Sequence, residues 1–532
     1  MPDNPNIDPQ TLNEMFNLAL PGPNFVQKKV KMNSNLNIDA WREFEHIIRP
    51  SDPYLIDNLE FGFCMGIDQS KFVSVPPTNH KTARQEFTEV DNFIVKHWKA
   101  GAILGPYKSN PLSVPVFTSP LQVVTGNSGK KRTVVDMSYP KGSSINDAIP
   151  NQWDQIPGFE GSFHLPTHDD ICNIILRTPD PLMYITDLSA YYLQLPVDIC
   201  DLPYMAMAWR KCLWFFRRLP FGSRSACLHA QRVTDAICLI HRTCTRTDIA
   251  GYVDDYSGIA TRLLAMWACS AFNDLLEKLG LARTLEKCRI PLEIQIFLGL
   301  LYNLANLTLS LPQEKIDRAI ALIREWLKKD KCTKSELQSL LGNFQHFATV
   351  VHAGRPFCSS IMDAVRSENF PVQLSLDFHR DLEMWLHVLQ SDIPKKSIIK
   401  SAPLCEPDEV IAIAVKGNHI VIECHGDISG YRCYSCEKLT VQDFYIVAVW
   451  LITSQLLHVI AGKLILIMVP TKASANAINR ASSRTKCIRQ LMRQYWLKQA
   501  EGDCIVKALC VPGASNDHLF NSCTEFHDID IV

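Results

Sequence analysis

Apolar and polar positions fall into blocks of different period along this chain. Around 84–99, Phe87, Val90, Phe93, Ile94 and Trp98 share one face of a helix. Residues 104–140 change to short strands and turns: VPVFTSPLQVV, then TGNSG, then KKRTVVDM. From 181 to 310 short apolar runs mix with helical patterns, and 312–395 is almost wholly helical in pattern. Pro394 and the polar stretch after it predict a boundary near 395–405. The segment 406–526 then reads strand, strand, strand, helix, strand, helix, strand, helix. Tyr445 to Gly462 reaches the lower length limit of a membrane span. It contains Ser454, Gln455 and His458, and Lys463 leads into a second apolar run, LILIMVP. A buried helix followed by a buried strand accounts for both runs, and no membrane is predicted. Residues 1–35 are Asn- and Pro-rich, with a small basic cluster (Lys28, Lys29, Lys31), and read as a flexible lead-in.

At 532 residues the chain exceeds one core and should divide into three or four domains. Its net charge of −1 gives no global positive field, so any nucleic-acid site must confine positive charge to one cleft. Nineteen scattered cysteines and a start, MPDNPNIDPQ, without a signal-peptide pattern predict an intracellular location, cytoplasm or nucleus. Cys433 and Cys436, with Cys424 and His425 upstream, lack the second pair that a zinc site needs.

The sharpest local signal is GYVDDYSGI at 251–259, two adjacent acids between apolar runs, as at the tip of a β-hairpin. Side chains alternate along a strand, so Asp254 and Asp255 cannot serve one site equally, and Asp254 is the expected direct metal ligand. Solvated acids in a turn are the bland alternative. Asp187 ends the apolar run of MYITDLSAYYLQLPV. It could meet Asp254 across neighbouring strands and share two Mg²⁺ ions (or Mn²⁺) roughly 4 Å apart.

The order of these motifs resembles the reverse transcriptases: Asp187–x₄–Tyr192–x–Gln194–x–Pro196, then LPFG, YVDD, a Lys and FLG. The wording is nearest the DIRS and Ngaro type of retrotransposon in 47–63, 138–150, 219–237 and 337–357, and the resemblance spans about 45–525. It implies Asp187 and Asp254 as metal ligands, Asp255 beside them, and a backbone carbonyl of Leu188 toward the nucleotide-side metal. It implies Tyr192 as the ring under the sugar that leaves no space for a 2′-hydroxyl. Arg132 matches the arginine that grips the triphosphate, for which a guanidinium fork is suited. Lys130 or Lys131 must replace the family's lysine in that hairpin. Phe221 and Gly222 match the segment against template and incoming base, with Gly222 permitting close backbone approach. Lys287 matches a lysine that protonates leaving pyrophosphate, and Phe297, Leu298 and Gly299 match the turn that holds the primer end. The thumb would offer Lys328, Lys329, Lys331 and Lys334 to duplex phosphates, an ordinary exposed helix face being the alternative.

The family continues into an RNase H domain, whose chemistry needs four acids. At those positions this chain has Ala414 and Val415, Tyr445, Pro470 and Thr471, and Phe520 near the signal VPGASN. The nuclease activity is predicted absent. The resemblance therefore implies an α+β right-hand polymerase followed by an RNase H-like α/β domain. Its expected segments are a flexible 1–44, fingers and palm over 45–310, a helical thumb or connection over 311–400, and an RNase H-like 401–532. The function implied is RNA-directed DNA polymerase of retrotransposon origin, acting on an RNA or DNA template with primer and deoxynucleoside triphosphates. The alternatives are a non-enzymatic nucleic-acid-binding remnant, decayed or reused by its host, and an RNase H-type nuclease, which the missing acids disfavour. Oligomeric state is open.

Overall fold

The computed structural model describes residues 7–20, 29–31, 34–71, 77–126, 129–160, 162–391, 396–398, 407–480, 483, 485–502, 504–511 and 516–531. The chain divides into two units, Met1–Glu293 and Ile294–Val532.

In the first unit, the expected flexible lead-in is corrected in part. Pro9–Ala19 is a helix, with the Asp8 side chain accepting from Thr11 N at 2.9 Å and proline at the first helical position. Leu12, Phe16 and Ala19 recur at helical spacing and pack with Leu104, Tyr107 and Phe215. Three apolar positions in one amphipathic stripe outweigh the Asn- and Pro-rich composition. Of the basic cluster, Lys28 lies outside the described residues. Lys29 pairs with Asp57 and Lys31 with Glu60. The helix expected around 84–99 is Phe87–Lys99, with Val90 and Ile94 buried.

The strands of this unit are β1 (Ile103–Tyr107), β2 (Leu121–Thr125), β3 (Lys131–Val135), β4 (Pro181–Asp187), β5 (Ala206–Trp209), β6 (Cys212–Phe216), β7 (Asp248–Tyr252), β8 (Asp255–Thr261) and β9 (Arg289–Leu292). β2 and β3 form a hairpin, β1-β6-β5 a small sheet, and β7-β8-β4-β9 the antiparallel sheet that carries the expected palm. The helices Ala226–Thr245 and Ala265–Lys278 pack on this sheet. β4 is central and buried on both faces beyond its first residue, which explains its apolar run Leu182–Ile185 ahead of Thr186 and the acid. Tyr184 of β4 lies opposite Gly258 of β8, and its ring fills the space a side chain at 258 would need.

The second unit begins with β10 (Ile294–Phe297), β11 (Leu300–Asn303) and β12 (Thr308–Ser310). The predicted helical stretch is the helices Gln313–Trp326, Lys334–Phe347, Ser359–Val365 and Leu376–Gln390, tied by the short strands β13 (Lys331–Cys332) and β14 (Val372–Gln373). Phe344, Phe347 and Trp385 form its aromatic centre. β15 (Lys396–Ile398) closes the sheet β10-β11-β12-β15, and Pro394 lies outside the described residues.

Then come β16 (Glu409–Lys416), β17 (His419–Cys424), β18 (Asp427–Ser435), β19 (Leu464–Val469), β20 (Ile505–Cys510) and β21 (Phe526–Ile531), in sheet order β20-β19-β16-β17-β18-β21. The first three strands are antiparallel neighbours, and β19 and β20 add in parallel, as the RNase H-like reading requires. Two features differ from the expected order. The helical span after β19 is two helices, Lys472–Arg480 and Lys486–Glu501, and β21 adds a parallel edge strand to β18. β21, FHDIDI, is a charged edge strand, and such strands lack the apolar run that marks a buried one. The span-like run is the helix Val441–Gln455, buried between the sheet and the helix Lys486–Glu501. Among the described residues no helix is long and apolar enough to cross a membrane. Within this unit Arg493 reaches the buried Asp381 at 2.6 Å and Arg489 reaches Asp363 at 2.9 Å, joining the nuclease-like helix to the helical bundle.

Candidate active site

Asp187 and Asp255 face each other where β4 ends and β8 begins, and Asp254 stands next to them in the turn between β7 and β8. Asp187 lies opposite Asp255 in the β4–β8 register, and directly opposed residues share a face. Asp254 occupies the two-residue turn Val253–Asp254, so a turn rather than strand alternation orients it. The Leu188 N–H donates to the Asp254 carbonyl at 2.9 Å, drawing the turn onto the end of β4. Thr284 N donates to the Asp187 carbonyl at 2.8 Å and Ser189 N to that of Ala282 at 2.9 Å. Neither bond engages the Leu188 carbonyl, the group expected to face a metal. Lys287 Nζ sits 2.7 Å from Asp187 Oδ2, with the aspartate buried and the lysine exposed.

The electrostatics of the cluster follow from burial and crowding. Burial, then Asp254 and Asp187, push the Asp255 carboxyl up to about 6. Burial and then the Asp187 charge also raise Asp254. The bond to Asp187 raises Lys287 and keeps it protonated. Hard oxygen donors crowded until they repel one another suit Mg²⁺ or Mn²⁺. Among the described residues, no three His, Cys, Asp or Glu side chains are gathered closely enough to hold an ion as they stand. The donor set fits a divalent cation in its chemistry, and Lys287 supplies the compensating charge at Asp187.

Tyr192 lies in the short turn Tyr191–Gln194 that begins after Ala190, which has φ 46°, and its ring lies 5.2 Å from that of Phe221 at 60°. Burial raises the Tyr192 hydroxyl, the neighbouring Cys227 raises it further, and Asp254 adds a smaller push. Phe221 is 43% exposed, an unusual state for a large aromatic and one that leaves a face open beside Tyr192. Gly222 has φ 95°, and a Cβ there would stand 3.0 Å from the Val135 carbonyl, so glycine brings this loop against β3. Arg132 is exposed on β3 opposite Val124, and no carboxylate pairs with it among the described residues. Lys131 is held by Glu86 at 2.7 Å, whereas Lys130 is exposed just before β3. Asn127 and Ser128 of the TGNSG turn lie outside the described residues.

Sequence reasoning assigned no role to three amides that hold this arrangement. Asn146 donates to the Gly222 carbonyl at 2.8 Å and accepts from Arg224 N at 2.8 Å. Gln194 ties Ser189 to Ala282 through both ends of its amide. Gln231 does the same for the 251–253 backbone. All three stand inside the motif segments, but a partner many residues away leaves no local signal.

In the second unit, Leu298 and Gly299 form a two-residue turn between β10 and β11, with φ of 46° and 77°, and Phe297 is buried beneath it. The expected basic helix face is a connecting segment instead. Lys328 to Lys331 follow the helix Gln313–Trp326, Lys329 pairs with Glu336 at 2.8 Å over the Trp326 ring, and Lys334 lies over Phe370. At the positions expected for the nuclease acids, Ala414 packs with Val421 and Leu519, flanked by Phe520, Ile428 and Phe526, and Val415 packs on the opposite side. Tyr445 is buried on the other face of the sheet. Thr471 Oγ1 lies 2.9 Å from Ser474 Oγ at the start of the next helix, and Pro470 precedes it. Asp443 is buried and spent on the capping box of its helix, accepting from Thr440 N and Oγ1, and on accepting from the Ser483 and Thr485 hydroxyls. Of the VPGASN signal, residues 512–515 lie outside the described residues.

No family model matches the chain, and no curated protein matches it. The chain is similar to the solved structure of the foamy viral protease-reverse transcriptase in complex with dsDNA, at 17% identity and TM-score 0.47, covering 91% of this chain and 99% of that one. The structure of that protein's dRH form with dsDNA gives 15% identity and TM-score 0.45, covering 92% and 84%. The complex with an RNA/DNA hybrid gives 16% and 0.47, covering 93% of this chain and 66% of that one.

Proposed function

We propose that this chain is an RNA-directed DNA polymerase of retrotransposon origin, of the DIRS or Ngaro type by its motif wording, that adds deoxynucleotides to a primer 3′ end. The observation that carries the reading is that Asp187 faces Asp255 across paired strand ends with Asp254 next to them, and that the Tyr192 ring lies against the exposed Phe221. Asp187 and Asp254 would hold two Mg²⁺ or Mn²⁺ ions, with the Leu188 carbonyl on the nucleotide side. Bound there, such ions lower the pKa of an attacking hydroxyl and neutralise a leaving pyrophosphate. Lys287 would release Asp187 and deliver its proton to the pyrophosphate. Arg132 and Lys130 would bind the triphosphate, with Lys131 available on leaving Glu86, and Phe221 and Gly222 would pack against template and incoming base. Phe297, Leu298 and Gly299 would hold the primer end. The functional segments are fingers and palm over 45–310, thumb over 311–400 and a nuclease-like 401–532, working inside the cell.

The test is primer extension on homopolymer RNA and DNA templates with Mg²⁺ and Mn²⁺ in parallel. Extension on RNA supports the reading. Binding of primer–template without extension by a folded, metal-supplied protein leaves the non-enzymatic alternative in its place.

Tyr192→Ala is expected to raise ribonucleotide incorporation relative to deoxyribonucleotide, because the discrimination is a clash rather than an attraction. Competitive incorporation assays read it, and an unchanged ratio in an active variant removes the gate.

The 401–532 segment is expected to release no labelled fragments from an RNA–DNA hybrid. Ala, Val, Tyr, Pro and Phe cannot ligate Mg²⁺, and Val415, which packs against the cluster that holds Tyr445, brings no donor to that face. Metal-dependent cleavage lost on changing Asp427 or Asp517 would contradict this.

A further inference from the structure

We propose that Gln231 is a positioning residue, fixing the Tyr252–Asp255 turn so that Asp254 and Asp255 present their carboxylates with Asp187 to a shared divalent cation. The inference rests on the polymerase reading only for its activity readout.

Val253 has φ 54°, a conformation that β-branched residues adopt at a cost of about 1–3 kcal/mol and keep only where their surroundings impose it. Gln231, on the helix Ala226–Thr245, imposes it with both ends of its amide. Its Oε1 accepts from Val253 N at 2.9 Å and its Nε2 donates to the Gly251 carbonyl at 2.9 Å. The other Nε2 hydrogen goes to Asp235 Oδ1 at 2.8 Å, which decides which end of the amide faces Val253. Thr234 Oγ1 donates to the Val253 carbonyl at 2.6 Å. Both polar backbone groups of the strained residue are thus held from one helix, and the next residue is Asp254. Gln231 is 1% exposed, so it acts through the turn and not on substrate.

Satisfying buried backbone groups for stability alone would also explain these bonds. The two roles separate on metal binding. Gln231→Met keeps the side-chain length and removes both backbone bonds. In the full chain, Mn²⁺ binding, read from the free-ion signal in electron paramagnetic resonance, should weaken about tenfold. The kcat for extension should fall about 10- to 100-fold, as a misplacement of about 1 Å does, while the deoxynucleotide KM stays within about twofold. Gln231→Glu alone sets a second carboxylate against Asp235. Adding Asp235→Asn removes that repulsion and keeps the bond from Val253 N, but the glutamate has no hydrogen for the Gly251 carbonyl, so Mn²⁺ binding should lie between wild type and Gln231→Met.

Wild-type Mn²⁺ affinity in folded Gln231→Met overturns the proposal. If that variant does not fold, the Gln231→Glu/Asp235→Asn pair decides. A loss of Mn²⁺ affinity of about threefold or more in the folded pair supports the proposal, and a smaller change overturns it. A wild-type chain that binds Mn²⁺ but extends no primer removes the polymerase reading and leaves this comparison standing. Extension by wild type and Gln231→Met alike, with equal Mn²⁺ affinity, removes the positioning role and leaves the polymerase.

Discussion

Asp187→Asn is expected to reduce primer extension at least about a thousandfold, as loss of one member of a cooperative catalytic set does. The amide matches the carboxylate in shape, and the Asp187 side chain is 4% exposed, so the packing at the end of β4 is kept. Lys287 loses its partner, but it is exposed and can turn to water at little cost. Asp255 loses a neighbour that raises it, and its carboxyl should fall toward the usual range. The folded state is therefore kept while the charge that would bind metal is removed. Single-turnover extension with a parallel thermal melt checks this, and an intact variant extending at a tenth of the wild-type rate sinks the role of Asp187.

Gly258→Ala is expected to be among the most destabilising single changes in the first unit, by about 3 kcal/mol. The added methyl would overlap the Tyr184 ring, which is buried between β4 and the helices and whose hydroxyl lies 3.2 Å from His241 Nε2. The ring cannot swing away, because Phe272 packs against it at 6.2 Å. Denaturant unfolding of the two proteins measures the difference, and a change below about 1 kcal/mol would mean that the strand pair adjusts freely. Both β4 and β8 deliver acids to the site, so extension should fall with stability.

What was legible in the sequence was what has a local cause. The run ending at Asp187 reads as a strand because β4 is buried along its length, and YVDD reads as a hairpin tip because its acids interrupt apolar runs. The helix Val441–Gln455 was legible despite its span-like composition, since Lys463 and the strand behind it gave the second half of a buried pair. The helix Pro9–Ala19 was hidden by composition, although Leu12, Phe16 and Ala19 had the spacing. β21 was hidden because a charged edge strand resembles a tail. The roles of Asn146, Gln194 and Gln231 were not legible because their partners are set by the fold. Lys329 and Lys334 show the converse, a charge pattern that suggested a binding face before their packing on Trp326 and Phe370 was visible.

The link between Arg493 and Asp381 makes the helical bundle depend on the nuclease-like segment. Asp381 is 1% exposed, accepts from the Ser360 hydroxyl, and takes its counter-charge from a helix of the nuclease-like segment. Removing the Arg493 charge with the segment in place would leave that anion without its ion partner, a loss of about 3–5 kcal/mol from this pair alone. A substitution elsewhere in that segment leaves this pair alone, whereas one at Arg493 is felt in the helical bundle as well.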